Sequence, residues 1–243
     1  MTSQTHKGST QDQAREFVGD LRRYLEQLAE DGTEYLLIAR GKDSDPAPAV
    51  PRISPAQRSP LRSVEEEIRN CRLCRLAKTR KKGVPGEGGM RKKVMFVGEG
   101  PGEQEDLSGR PFVGRAGKLL DKMIAAIGLS RDDVYITNIV KCRPPENRDP
   151  KPDEVVACWP YLEKQIAILQ PRVIVTLGSP AVKTLLDTDD GISLLRGKVH
   201  DFQGTPLLAT FHPAYLLRAY TVENRRKAWE DMKMVRDILN ENR

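Results

Sequence analysis

Four short β-branched and apolar runs, Val94–Val97, Val134–Val140, Val173–Leu177 and Leu207–Phe211, alternate with stretches of helical period. The helical stretches are Ala116–Ile127, Asp153–Leu169 and Ser179–Leu186, the last with Ser179 and Pro180 as its cap. A helix over Val64–Asn70 precedes them and one over Asn224–Leu239 closes the chain. Strands that alternate with helices imply βαβ crossovers, hence an α/β fold with a mainly parallel four-stranded sheet covered on both faces. Ligands of such sheets sit at the carboxyl ends of the strands. Glu99 follows the first run, Asn138 lies near the end of the second, Ser179 follows the third and His212 the fourth.

The remaining sequence divides the chain. Residues 1–40 form an N-terminal extension in which Phe17, Leu21, Tyr24, Leu25 and Leu28 trace a short amphipathic helix within Gln13–Glu30. That helix reads either as a loosely attached segment or as a docking helix for a partner protein. Residues 41–60 hold five prolines and read as an extended linker. Residues 61–243 carry the α/β pattern. No apolar run is long enough to span a membrane and Met1–Thr10 is polar, so a cytoplasmic protein is expected, with a monomer as the plain expectation. The net charge of +6 permits a nucleic-acid partner without demanding one.

The four cysteines are Cys71, Cys74, Cys142 and Cys158, with none left over. In a reducing compartment such a group binds metal more often than it forms disulfides. Four thiolates suit tetrahedral zinc or a cubane iron–sulfur cluster, and spacing alone leaves both open. Arg72, Arg75, Lys78, Arg80, Lys81 and Lys82 surround the first pair, and Lys141 and Arg143 flank the third cysteine. They either offset thiolate charge or track a phosphate backbone.

The loop Gly98-Glu-Gly-Pro-Gly-Glu-Gln-Glu-Asp106 is neither a P-loop nor a dinucleotide fingerprint, because no Gly-Lys-Ser/Thr follows and Pro101 interrupts the glycine frame. Taken with the cysteine spacing, GRPFVGRAGKLLD (109–121), YITNIVKCRPPENR (135–148) and HPAYLLR (212–218), it resembles the family 4, iron–sulfur, uracil-DNA glycosylases. The resemblance runs from about Cys71 to Leu239. It implies a three-layer α/β/α sandwich, a structural [4Fe-4S] cluster on the four cysteines, and hydrolysis of deoxyuridine in DNA to release uracil. A non-catalytic, polymerase-associated DNA-binding module is the alternative.

The same resemblance assigns roles. Phe112 stacks on the flipped pyrimidine and Asn138 reads its O4 and N3–H edge. His212 donates a hydrogen bond to uracil O2 as charge develops there. Leu216, or else Leu217, is the wedge that fills the vacated stack, and Arg218 holds a phosphate. Gly100 stands where better-known relatives carry a water-positioning Asp or Asn, so Glu99 becomes the candidate for water activation. Glu105 is expected at the pocket edge, excluding the thymine methyl.

Overall fold

The computed structural model describes residues 55–89, 91 and 93–241; the expected N-terminal helix and most of the linker lie outside them. The first helix, α1 (Pro55–Asn70), begins inside the stretch read as a linker. Its apolar face, Leu61, Val64 and Ile68, is buried. Among the described residues no helix is long and apolar enough to cross a membrane.

Among the described residues the sheet has six strands, not four: β1 (Glu87–Gly88), β2 (Val94–Gly98), β3 (Val134–Asn138), β4 (Val173–Leu177), β5 (Val199–Phe202) and β6 (Thr205–Thr210), in the order β1-β3-β2-β4-β6-β5. The four anticipated strands are the inner ones and pair in parallel. The two extra strands pair antiparallel at the edges. They escape a reading of apolar runs for physical reasons: β1 is two residues long, and β5 is a mostly exposed edge. A two-residue turn joins β5 to β6, with Gln203 at φ 51° and Gly204 at φ 82°, the backbone that matches strand twist in a hairpin.

β2, β3 and β4 are buried along their whole length, as expected of strands covered on both faces. Successive side chains of β2 point to opposite layers. Met95 and Val97 join the core that includes α1 and α4 (Pro152–Leu169); Val94 and Phe96 join the one beneath α3 (Arg115–Ala126) and α8 (Val222–Asn240). This gives the three-layer α/β/α sandwich. The shorter helices are α2 (Glu103–Ser108), α5 (Ser179–Leu186), α6 (Ile192–Leu195) and α7 (Pro213–Arg218).

Two strand ends differ from expectation in ways that shape the site. β3 stops at Asn138, because the amides of Ile139 and Val140 bond to the carbonyls of Gly98 and Glu99 at 2.9 and 3.1 Å, following the turn that leaves β2. The cap of α5 is Gly178, one residue before Ser179. Gly178 has φ 89°, and a Cβ there would come within 2.9 Å of the His212 Cβ, so both backbone and space call for glycine.

Candidate active site at the carboxyl ends of the strands

Gly98 and Asn138 are register partners at the ends of β2 and β3. A Cβ on Gly98 would lie 2.4 Å from Asn138 Oδ1 and 2.6 Å from Phe112 Cζ. The carboxamide and the aromatic ring therefore both rest against the bare backbone of Gly98. Asn138 is buried, and its Oδ1 has no hydrogen-bond partner within the protein. A buried acceptor left open costs about 1–3 kcal/mol, which a ligand N–H would recover.

Phe112 has φ 50°, a left-handed backbone uncommon for an aromatic residue. Several contacts hold it there. Arg131 donates to the carbonyls of Pro111 (2.7 Å) and Phe112 (3.1 Å) while paired with Glu87 and Asp121 at 2.6 and 2.7 Å. Gly117 lets α3 approach, since a Cβ there would come within 1.9 Å of the Phe112 carbonyl oxygen. Glu105 accepts from the amide of Gly102 at 3.1 Å and from those of Val113 and Gly114 at 2.8 and 2.9 Å. Both of its oxygens are thus committed to backbone. Glu105, expected at the pocket edge, clamps the Phe112 loop to the β2 turn.

His212 faces Phe112, with ring centroids 5.7 Å apart. Pro213 occupies the first turn of α7, and the Ala214 amide donates to His212 Nδ1 at 3.0 Å. The neutral ring therefore carries its proton on Nε2, free to donate. Burial lowers the His212 pKa to about 4, and the positive charge of Arg218 acts in the same direction against a weaker opposing pull from Glu105. The imidazole is neutral at physiological pH.

Glu99 is half-buried, and its carboxyl pKa is raised to about 7, first by burial and then by the Asp149 carboxylate, which hydrogen-bonds to it. Asp149 was invisible as a partner because it arrives from the loop between β3 and α4, 50 residues downstream. Gly100 leaves little room for a side chain, as a Cβ would sit 2.9 Å from Val140 Cγ2. On α7 the two candidate wedge residues differ in exposure. Leu216 is 3% exposed and packs with Phe211 and Ala228, whereas Leu217 is 43% exposed. The helix turns Leu217, not Leu216, outward, with Arg218 exposed beside it.

The cysteines gather on one side of the sheet. Cys142 and Cys158 lie in the core next to α1, and Cys71 and Cys74 pack against it. Charge on Cys158 and Cys74 is felt at Cys142, and charge on Cys74 and Cys71 at Cys158. Burial pushes the Cys142 thiol up to about 12 and raises Cys158 as well. The sulfurs already receive N–H donors: Leu73 to Cys71 at 3.4 Å, Arg80 to Cys142 at 3.0 Å and the Lys141 amide to Cys158 at 3.2 Å. Among the described residues no group of three or more His, Cys, Asp or Glu is set to hold a metal ion. The donors are all thiolates, a set whose chemistry suits an iron–sulfur cluster as well as zinc.

The flanking cations separate into two groups. Arg80 turns inward, holding the carbonyls of Ile68, Arg69 and Cys71 as well as the Cys142 sulfur. Lys141 is 1% exposed. Arg72, Lys78, Lys81 and Lys82 remain at the surface, and Arg75 pairs with Asp153 at 2.7 Å.

Residues 85–233 match the family model described as the uracil DNA glycosylase superfamily, and the chain belongs to that superfamily. The type-4 uracil-DNA glycosylase of Sulfurisphaera tokodaii is 46% identical over 187 residues, covering 73% of this chain and 84% of that protein. That of Saccharolobus solfataricus is 46% identical over 186 residues, 73% and 85% of the two chains. The Thermotoga maritima type-4 enzyme is 46% identical over 178 residues, 72% of this chain and 93% of its own. Its branch of the superfamily is accordingly type 4.

Proposed function

We propose that the chain hydrolyses the N-glycosidic bond of deoxyuridine in DNA, releasing uracil and leaving an abasic site for base excision repair. One observation carries this reading: an open buried acceptor on Asn138 and the Phe112 ring meet at Gly98, and a neutral imidazole donor on His212 faces that ring. Uracil extruded from the stack lies on Phe112 and offers its N3–H to Asn138 Oδ1. Cytosine has no hydrogen at N3, so the same acceptor disfavours it. As the N1–C1′ bond breaks, its electron pair moves onto the base, and negative charge builds at O2. The His212 Nε2–H donates to that oxygen. Placed donors of this kind contribute about 3–4 kcal/mol to a transition state. The sugar is left as an oxocarbenium-like cation, and a water oxygen closes on C1′. Glu99, about half ionised near neutrality, takes the proton, with Asp149 sharing it. Leu217 fills the gap in the duplex and Arg218 contacts phosphate.

Cys71, Cys74, Cys142 and Cys158 would hold a [4Fe-4S] cluster, which when bound supplies a covalent brace and no part of the hydrolysis. The test is alkali-induced strand cleavage at a single uracil, with His212→Ala and Asn138→Ala beside the wild type. Abasic product from the wild type, strongly reduced in both variants, supports the enzyme. No product from the wild type would leave a DNA-binding module as the better reading.

A further inference from the structure

We infer that Lys141 is a positioning residue for base recognition, tying the cysteine side of the domain to the Asn138 carboxamide. The inference rests on the role proposed above for Asn138.

Every polar atom of Lys141 is committed. Its amide donates to Cys158 Sγ at 3.2 Å, and its carbonyl accepts from the Val84 amide at 2.8 Å. Its ammonium donates to the Asn138 carbonyl oxygen at 2.6 Å, to Thr137 Oγ1 at 2.6 Å and to Gln165 Oε1 at 2.7 Å. An ammonium has three donors and no acceptor, so this cage satisfies it completely. Gln165 extends the network by donating to the Pro85 carbonyl at 2.8 Å and to the Tyr135 hydroxyl at 3.2 Å. Cys158 and Gln165 both belong to α4, while Thr137 and Asn138 end β3.

The arrangement addresses a specific difficulty. Asn138 is the last ladder residue of β3, and its side chain has an acceptor that nothing in the protein engages. A residue at a strand end is free to rotate unless its peptide is fixed on both sides. Gly98 fixes one side through the Ile139 amide at 2.9 Å. Lys141 fixes the Asn138 carbonyl through a nitrogen that two further acceptors, on Thr137 and Gln165, hold in place. A simple spacer could not do this, and a surface cation would not be buried.

The experiment is a double-mutant cycle on single-turnover uracil release, combining Lys141→Met with Asn138→Ala in the full chain purified with its iron. Asn138→Ala alone must reduce release, and if it does not, the functional reading fails independently of this inference. Lys141→Met in the wild-type background should slow release roughly 10- to 100-fold, the equivalent of leaving one buried acceptor unpaired. In the Asn138→Ala background the further loss should be under about threefold, because Lys141 acts through a side chain already absent. Iron per chain should stay at the wild-type value, since the bond to Cys158 comes from the backbone. An equal loss in both backgrounds, no loss in either, or loss of iron would overturn the proposal. Should Lys141→Met not fold, Thr137→Val removes one acceptor from the cage. It is then read in the same cycle: a several-fold loss that disappears in the Asn138→Ala background supports the inference, and a loss that persists rejects it.

Discussion

Adding one methyl group to Gly98 should disable the pocket while leaving the sheet intact. Gly98 does not have a positive φ, so alanine is acceptable to the backbone and the effect is purely steric. The new Cβ would stand 2.4 Å from Asn138 Oδ1 and between 2.6 and 2.8 Å from two ring carbons of Phe112. That is up to about 1 Å inside ordinary van der Waals contact on two sides at once. Overpacking of this kind costs about 1–3 kcal/mol. The strain is relieved only by moving the carboxamide or the ring, the two groups assigned to hold the base. If the cost falls wholly on the transition state, kcat/KM drops roughly 5- to 150-fold, at 1.36 kcal/mol per factor of ten. Gly191→Ala is the control, since a Cβ there meets nothing within 4 Å. Both are read by uracil release from a labelled oligonucleotide, with thermal melting in parallel. Wild-type kcat/KM in a folded Gly98→Ala protein would refute the packing argument.

Other outcomes follow from the same geometry. His212 should stay neutral from pH 9 to below pH 5, as followed by nitrogen NMR of the ring, and its replacement by Ala should cost 10²- to 10³-fold in kcat. Because its folded pKa lies below the unfolded value near 6.5, the unfolded chain binds the proton first; stability is complete above pH 6.5 and falls by on the order of 3 kcal/mol as pH drops toward 4. Activity should rise with pH through about 7 as Glu99 ionises, and Asp149→Asn should move that limb to lower pH by removing the like charge. Leu217→Ala should weaken excision from duplex more than from single strands at unchanged stability, whereas Leu216→Ala should destabilise the fold by about 2–5 kcal/mol. A reversed pattern for the two leucines would return the wedge to Leu216.

The inner sheet was legible because its strands are buried on both faces and so read as unbroken apolar runs. Its edges were not, since a two-residue strand and a polar hairpin arm carry no such signal. The site divides in the same way. Residues delivered by strand ends, Asn138 and His212, could be anticipated from the topology. Partnerships formed across the fold could not: Asp149 with Glu99, Arg131 behind Phe112, and Lys141 beneath Asn138 depend on which way a side chain turns. Glu105 illustrates the limit: the resemblance put it at the pocket edge, and only the fold shows three backbone amides claiming its oxygens. Leu216 and Leu217 are adjacent and chemically identical, and only the seating of α7 on Phe211 decides which is covered.

The most direct measurement is a crystal structure with duplex DNA carrying a non-cleavable deoxyuridine analogue. The base should lie out of the stack, its ring over Phe112, its N3–H within about 3.2 Å of Asn138 Oδ1 and its O2 at His212 Nε2. A base bound elsewhere, with the Asn138 acceptor still open, would contradict this placement.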